Sequence, residues 1–311
     1  MDAGPVTLDD IRAARERIAP YVRRTPLHPL PRGPLLKLEN LQVTGSFKPR
    51  GAFNYVLANR EACTRGIITA SSGNHGQAVA YVAKTLGLRA VVVVPENVAA
   101  TKAEAITGYG AELIRRGRYS EERIALAREL SERRGLHYVP PYDDPFIIAG
   151  QGTAGLEIVE QCPDLEAVVV PASGGGLISG VAAAVKLLRP KARVIGAEPA
   201  GAARFARSRQ AGVPVVLETA ETIADGLRVL TPGRLTWEVT SQYVDEFRPV
   251  PDEEIAAAVR RVLLEGHVVA EPSGATSVAC AISAGLTGPR AVAVLSGGNV
   301  DPSVLQRILS A

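Results

Sequence analysis

Along this chain a short run of β-branched and other apolar residues is repeatedly followed by a longer stretch with helical periodicity. "GIITA" precedes "NHGQAVAYVAKTLG", "RAVVVVP" precedes "ATKAEAITGYG", and "AELIRR" precedes "SEERIALARELSERRG". The alternation returns in "LEAVVVPA" with "GLISGVAAAVKLL" and in "RVIGAE" with the helical stretch after it, and closes with "RAVAVLSGGN". Strands that are apolar throughout must be covered on both faces, and helices between them supply the cover and the crossovers of a parallel sheet. An α/β fold of parallel-rich, twisted sheets covered by helices is therefore expected. Thr7 with Asp10 has the spacing of a capping box, which predicts a first helix through about Ala19. No repeat of fixed period and no low-complexity tract interrupts the pattern.

Composition narrows the function classes. With 311 residues, 46% hydrophobic, 22% charged and a net charge of +3, the chain is long enough for one large or two smaller domains with a substantial core. The positive charges are dispersed, so nucleic acid is not an expected partner. Cys63, Cys162 and Cys280 are odd in number and far apart, without C-x-x-C spacing, so neither a disulfide framework nor a zinc site is indicated. "MDAGPVTLDDIRAARERI" carries acids where a signal peptide needs bases, and no segment approaches the ~20 apolar residues that span a bilayer. No membrane association is expected, and a cytoplasmic location is.

In open parallel sheets, ligands bind beyond the carboxyl ends of the strands. Three such ends are alike, since "ASSGNHG", "ASGGGLISG" and "LSGGN" are all small, hydroxyl-bearing and glycine-rich. Ser173, Gly174, Gly175, Gly176 and Leu177 lie between a strand and an amphipathic run, where successive backbone N–H groups and a helix N-terminus suit a phosphate. The same residues also suit a plain tight turn. The dinucleotide fingerprint G-x-G-x-x-G is not met here, although Glu198 follows a strand at a distance that keeps a nicotinamide cofactor open.

Only six lysines (37, 48, 84, 102, 186 and 191) occur among 35 Lys plus Arg, and Lys48 stands in the stretch "TGSFKPRGAFNYV". Pro49 suits the first position of a helix and biases Lys48 away from helical angles, so a helix from Pro49 to Asn59 is predicted with Lys48 at its entrance. An amine acting as nucleophile or base must have its pKa brought from ~10.4 to near 7, about 4 kcal/mol, through desolvation or neighbouring positive charge. Phe47 and an enclosed cleft supply desolvation; an ordinary exposed amine is the alternative. A reactive lysine, a phosphate cradle and hydroxyl-rich strand ends together suggest pyridoxal phosphate, whose aldehyde takes a lysine as a Schiff base.

Five ordered blocks, "LKLENLQVTGSFKPRGA", "ITASSGNHGQAVAYVAK", "DDPFIIAGQGTAGLEI", "VVVPASGGGLISG" and "VLSGGNVD", resemble the serine/threonine dehydratase and serine racemase family of fold-type II pyridoxal phosphate enzymes. The likeness extends from about residue 7 to 304. It implies the tryptophan synthase β-like architecture: a large cofactor-binding domain of residues 1–65 and 144–311, and a small substrate-loop domain of residues 66–143. It implies Lys48 as Schiff-base lysine and base, Phe47 as its packing neighbour, and Asn74 as the contact to the phenolic oxygen of the ring. Ser71, Ser72, Gly73, Asn74 and His75 match the loop that grips the substrate α-carboxylate, Ser173 to Leu177 match the phosphate loop, and Ser296 matches the hydroxyl facing the pyridine nitrogen. Many relatives have Gly where Ser173 stands.

A neutral hydroxyl at the pyridine nitrogen leaves the ring a weaker electron sink than an Asp would. β-Elimination from L-threonine or L-serine is then favoured over transamination, giving an enamine that becomes a 2-oxo acid and ammonia, with the cofactor phosphate as acid for the departing hydroxyl. Ser72 matches the second-face acid/base of the racemases, or it only binds carboxylate; serine or aspartate racemisation is the alternative activity. Arg123, in "RYSEERIALA", matches an arginine that meets a second acidic group in some relatives, or it is a surface helix charge; if it faces the cleft, 3-hydroxyaspartate joins the substrates. Racemase-like members bind a divalent cation through a Glu at the "AEP" strand end and an Asp six residues on. Here Glu198 is followed by Arg204, so no metal site is predicted. The chain ends at residue 311, soon after "LSGGNV", so no regulatory domain or isoleucine feedback is expected. A homodimer is expected from the resemblance.

Overall fold

The computed structural model describes residues 6–117 and 120–310; Met1–Pro5, Arg118, Tyr119 and Ala311, which include part of the N-terminal segment and of "RYSEERIALA", lie outside the described residues. Two sheets organise the molecule. The larger runs in the order β1–β2–β10–β7–β8–β9, from β1 (Leu27–Pro29), β2 (Pro34–Leu38), β7 (Ala167–Pro171), β8 (Arg193–Pro199), β9 (Glu246–Val250) and β10 (Gly288–Leu295). The smaller runs β5–β4–β3–β6, from β3 (Ile67–Ala70), β4 (Ala90–Val94), β5 (Glu112–Arg115) and β6 (His137–Tyr138). All neighbouring strands pair in parallel except β1 with β2.

The helices are α1 (Leu8–Ile18), α2 (Lys48–Ala58), α3 (Asn74–Leu86), α4 (Ala100–Thr107), α5 (Ser120–Arg134) and α6 (Pro145–Gln161). They continue with α7 (Gly176–Leu188), α8 (Arg204–Ala211), α9 (Arg234–Tyr243), α10 (Asp252–Leu264), α11 (Pro272–Ser283) and α12 (Pro302–Ser310). The capping box at Thr7 and Asp10 is formed: the Asp10 N–H donates to Thr7 Oγ1 while Asp10 Oδ2 accepts from the Thr7 N–H at 2.8 Å. Helix α2 differs from its expected start. It begins at Lys48 itself, because a proline in the first turn gives up an N–H that would have no intrahelical partner anyway.

Strand side chains alternate between faces, and in central strands such as β4 and β7 both faces are dry. In β7, Val168 and Val170 pack with Ile158 of α6 and Ile178 of α7, whereas Val169 packs with Ile255 of α10 and Val278 of α11. β10 repeats the division, Val292 and Val294 to one side, Ala293 and Leu295 to the other. In the smaller sheet Val92 and Val94 of β4 pack toward α2 and α3, and Val91 and Val93 toward α5. The three cysteines are buried and free, and among the described residues no helix is long and apolar enough to cross a membrane.

Candidate active site

The carboxyl ends of β3, β7 and β10 lead into the three glycine-rich stretches, and hydrogen bonds join those after β10 and β3 to the stretch before α2. Phe47 N–H donates to Ser296 O at 3.1 Å and Gly298 N–H to Gly45 O at 3.0 Å, beside an isolated bridge between Ser46 and Gly297. Asn299 Nδ2 donates to Thr44 O at 2.8 Å and to Asn74 Oδ1 at 2.7 Å. These contacts bring Phe47, Lys48, Asn74 and Ser296 together from three separate parts of the sequence.

Lys48 Nζ donates to Pro141 O at 2.8 Å and lies 5.2 Å from the Phe47 ring centroid. The residue as a whole is half-buried, yet its amine end is enclosed, and this withdrawal from water lowers its pKa to about 8. The neighbour of Pro141, Tyr142, packs on the glycine loop: a Cβ on Gly174 would sit 2.4 Å from its ring. Lysine and loop thus share one wall.

In the loop itself, Gly175 has φ +102, a conformation L side chains rarely adopt, and it caps α7. Gly174 O accepts from Thr236 Oγ1 at 2.6 Å and from Gly233 N–H at 3.3 Å, so the start of α9 props the loop from behind. Asp143 caps α9 in turn, accepting from the N–H groups of Leu235 and Thr236 at 2.8 and 3.1 Å. The first N–H groups of α7 have no intrahelical acceptor, and Ser173 Oγ is buried without a partner. An orphaned hydroxyl beside unpaired N–H groups at a helix N-terminus fits a phosphate.

Ser71, Ser72 and Gly73 form the turn before α3, half-buried, with Gly73 N–H donating to Ser71 Oγ at 3.4 Å. Ser72 Oγ makes no hydrogen bond to the described residues. His75 is different: its ring is buried with Nε2 donating to Val139 O at 3.2 Å, and burial followed by the Lys48 charge lowers its pKa to about 3. Its imidazole is a neutral core group, which leaves the backbone at 75 as the part open to a ligand. Arg123, in the first turn of α5, is half-buried; burial lowers its pKa while Glu121 and Glu122 act to raise it.

Glu198 and Arg204 are both fully buried, with Glu198 Oε1 3.9 Å from Arg204 Nη1. Glu198 accepts from Phe205 and Ala206 N–H at 2.9 and 2.8 Å, capping α8, and Arg204 donates to the carbonyls of Ala172, Ala202 and Leu227. The guanidinium therefore fills the space beside Glu198, whose buried carboxylate is also out of reach of a ribose. Among the described residues no group of three His, Cys, Asp or Glu is placed to hold a metal ion.

Sequence reasoning missed Glu271, whose Oε1 accepts from Asn74 Nδ2 at 2.7 Å, and the Thr236 prop. Each lies far along the chain from its partner, and neither stands in a glycine-rich strand end. It also missed Arg50, which belongs to "SFKPRG" and anchors α2 from below.

Residues 18–297 match the family described as pyridoxal-phosphate dependent enzyme. L-threonine ammonia-lyase of Thermotoga maritima is 40% identical over 314 residues, spanning 98% of this chain and 78% of that one. Maize serine racemase superposes with a TM-score of 0.93 at 39% identity, covering 98% of this chain and 97% of that one. Serine racemase from Dictyostelium discoideum gives 0.89 at 38% identity, with coverage of 96% and 100%. An enclosed lysine, an orphaned hydroxyl at a glycine-rich helix N-terminus, and this match over nearly the whole length agree: the chain belongs to the pyridoxal-phosphate dependent enzyme family, with the fold-type II architecture.

Proposed function

We propose that this chain eliminates the α-hydrogen and β-hydroxyl of L-threonine or L-serine, releasing a 2-oxo acid and ammonia. The observation that carries the reading is an enclosed lysine amine with a pKa of about 8, joined through Phe47 to a strand end that bears a neutral serine, Ser296. Pyridoxal phosphate, when bound, supplies the electron sink for the charge left at the α-carbon. Ser173 to Leu177 hold its phosphate, Asn74 and Ser296 meet the ring, and Ser71 to His75 receive the substrate carboxylate through hydroxyls and backbone N–H groups. Lys48, whose lowered pKa enlarges the neutral-amine fraction near neutral pH, accepts the α-proton. A neutral partner at the ring nitrogen favours loss of the β-hydroxyl along with that proton over reprotonation at the opposite face.

Racemisation is the second reading, favoured by the unpartnered Ser72 Oγ and by the fit to maize serine racemase. The enzyme is assayed for 2-oxo acid release and α-hydrogen exchange with both enantiomers of serine and threonine. Elimination from the L forms is expected to outpace racemisation. Ser72→Ala is expected to abolish any reaction of the D forms while retaining elimination from the L forms, since Lys48 is untouched. Racemisation faster than 2-oxo acid formation in the wild type would reverse the order of the two readings. Equal losses for both enantiomers would make Ser72 a carboxylate contact only.

Residues 66–143 are proposed to move as a small domain against residues 1–65 and 144–311, closing over the substrate and excluding water. The Lys102–Asp225 ion pair at 2.5 Å, which reaches from α4 to the turn at 225–227, supports contact between the two. A cytoplasmic homodimer is proposed as well, the location supported by three free buried thiols and the dimer by the resemblance. Small-angle scattering reads both: a mass twice 32.7 kDa, and a smaller radius with a substrate analogue bound. A mass of one chain, or an unchanged radius, counts against the respective statement.

A further inference from the structure

The side-chain amide of Asn74 is held at both ends. Its Oδ1 accepts from Asn299 Nδ2, and its Nδ2 donates to Glu271 Oε1, each at 2.7 Å. The orientation is forced. Thr44 O can only accept, so Asn299 must turn its Nδ2 that way, which spends both of its N–H groups on Thr44 O and Asn74 Oδ1. Asn74 then has its oxygen toward Asn299 and its nitrogen toward Glu271, with one N–H left over.

Glu271 is built into this position. It precedes α11, its backbone N–H donates to Gly297 O at 3.1 Å, and it is 6% exposed. A Cβ on Gly297 would lie 2.2 Å from Glu271 Oε1 and 3.2 Å from Asn74 Nδ2, so only glycine at 297 leaves room for the pair next to Ser296. Glu271 Oε2 makes no hydrogen bond to the described residues.

We propose that Glu271, backed by Asn299, is a positioning residue that fixes the Asn74 amide so that its remaining N–H is presented to the phenolic oxygen of bound pyridoxal phosphate. The inference rests on the assignment of Asn74 to that oxygen. An Asn74 free to rotate would present its carbonyl as readily, and two oxygens would repel. Burial, then the charge of Asp225, raises the Glu271 carboxyl to about 8, with Asn74 and Lys102 acting the other way. Near neutral pH the group is mostly an uncharged acid whose carbonyl oxygen accepts from Asn74, so its bond to Asn74 places no charge beside the ring.

The test uses the visible absorption band of the bound cofactor and its retention on dialysis, in holoenzyme carrying Glu271→Gln, Glu271→Leu, Asn299→Leu or Asn74→Ala. Gln offers the same acceptor without charge, so Glu271→Gln is expected to keep the wild-type band and bind cofactor within about threefold. Glu271→Leu and Asn299→Leu are each expected to shift the band as Asn74→Ala does and to weaken retention by about fivefold or more, the effect of one lost neutral hydrogen bond. A shifted band in Asn74→Ala with wild-type spectra in both Leu variants would overturn the proposal while leaving the Asn74 assignment standing. A silent Asn74→Ala would overturn both. Should Glu271→Leu fail to fold, Asn299→Leu, which acts on the other end of the same amide, decides the outcome.

Discussion

Lys48→Ala is expected to lower 2-oxo acid release by about a thousandfold or more, because it removes both the covalent anchor and the base. Folding and a non-covalent cofactor site should survive. The phosphate cradle is made by residues 173–177 and propped by Thr236, and Asn74 and Ser296 are tied to residues 44–47 by backbone and amide bonds that do not use the amine. Urea unfolding close to the wild type, with weakened but saturable cofactor binding, is the expected companion result. A pH effect follows from the lowered amine. Mild reductive methylation of the cofactor-free wild type should modify Lys48 with a midpoint near pH 8, since the reactive neutral amine grows in as pH rises through that value. Wild-type turnover by Lys48→Ala without added amine would refute the assignment.

Arg50→Met is expected to destabilise the protein by about 3–5 kcal/mol at neutral pH, the usual cost of removing one partner from a buried charge network. Arg50 Nε meets Glu39 Oε2 at 2.7 Å and its Nη1 meets Glu157 Oε1 at 2.7 Å, while Lys37 Nζ meets Glu157 Oε2 at 2.6 Å. Two cations and two carboxylates balance, all nearly or fully buried, with Thr25 and Thr153 completing the bonds. Burial opposes the charge on Arg50 and Glu39 alike, yet their mutual attraction prevails and leaves Arg50 raised and Glu39 lowered. Glu39 therefore contributes stability that is present above the usual carboxylate pKa and lost as pH falls through its lower folded value. Without Arg50 that burial is opposed only by the Lys37 charge and the Thr25 hydroxyl, and the balance moves toward protonation. The gap between variant and wild type should be widest at neutral pH and narrow as the solution is acidified. Urea unfolding of Arg50→Met within about 1 kcal/mol of the wild type would mean that the network is energetically idle. The network sits two residues beyond Lys48 and binds α2 to β2 and α6, so weaker cofactor retention should accompany the loss of stability.

The local pieces of this protein can be read from its residues in order. Strands such as "VVVP" and "AVAVL" declare burial on both faces, because a run without polar residues cannot present one side to water, and a parallel α/β arrangement is what covers both. The glycine-rich strand ends were legible for a similar reason: an unbroken set of small residues between strand and helix serves the same purpose wherever it folds. Asn74, Ser173 and Ser296 stand in such stretches, whereas Lys48 stands out as one of six lysines, next to Pro49; the roles proposed for Asn74 and Ser296 come from the resemblance. What surrounds them emerged only once the chain was folded. Glu271 and Asn299 meet Asn74 across 197 and 225 residues, and Thr236 supports Gly174 from a helix with no motif of its own. His75 shows the same limit in reverse, since its place in "SSGNHG" suggested a ligand contact while packing against Val139 turned its ring into the core. The β1–β2 hairpin and β6 were not anticipated: β1 has three residues and β6 two, and β2 and β6 take their parallel partners β10 and β3 from far along the chain. Hydrophobic periodicity and glycine are properties of neighbours in sequence; the orientation of an amide, the pKa of a buried acid and the match of two cations to two carboxylates are properties of neighbours in space.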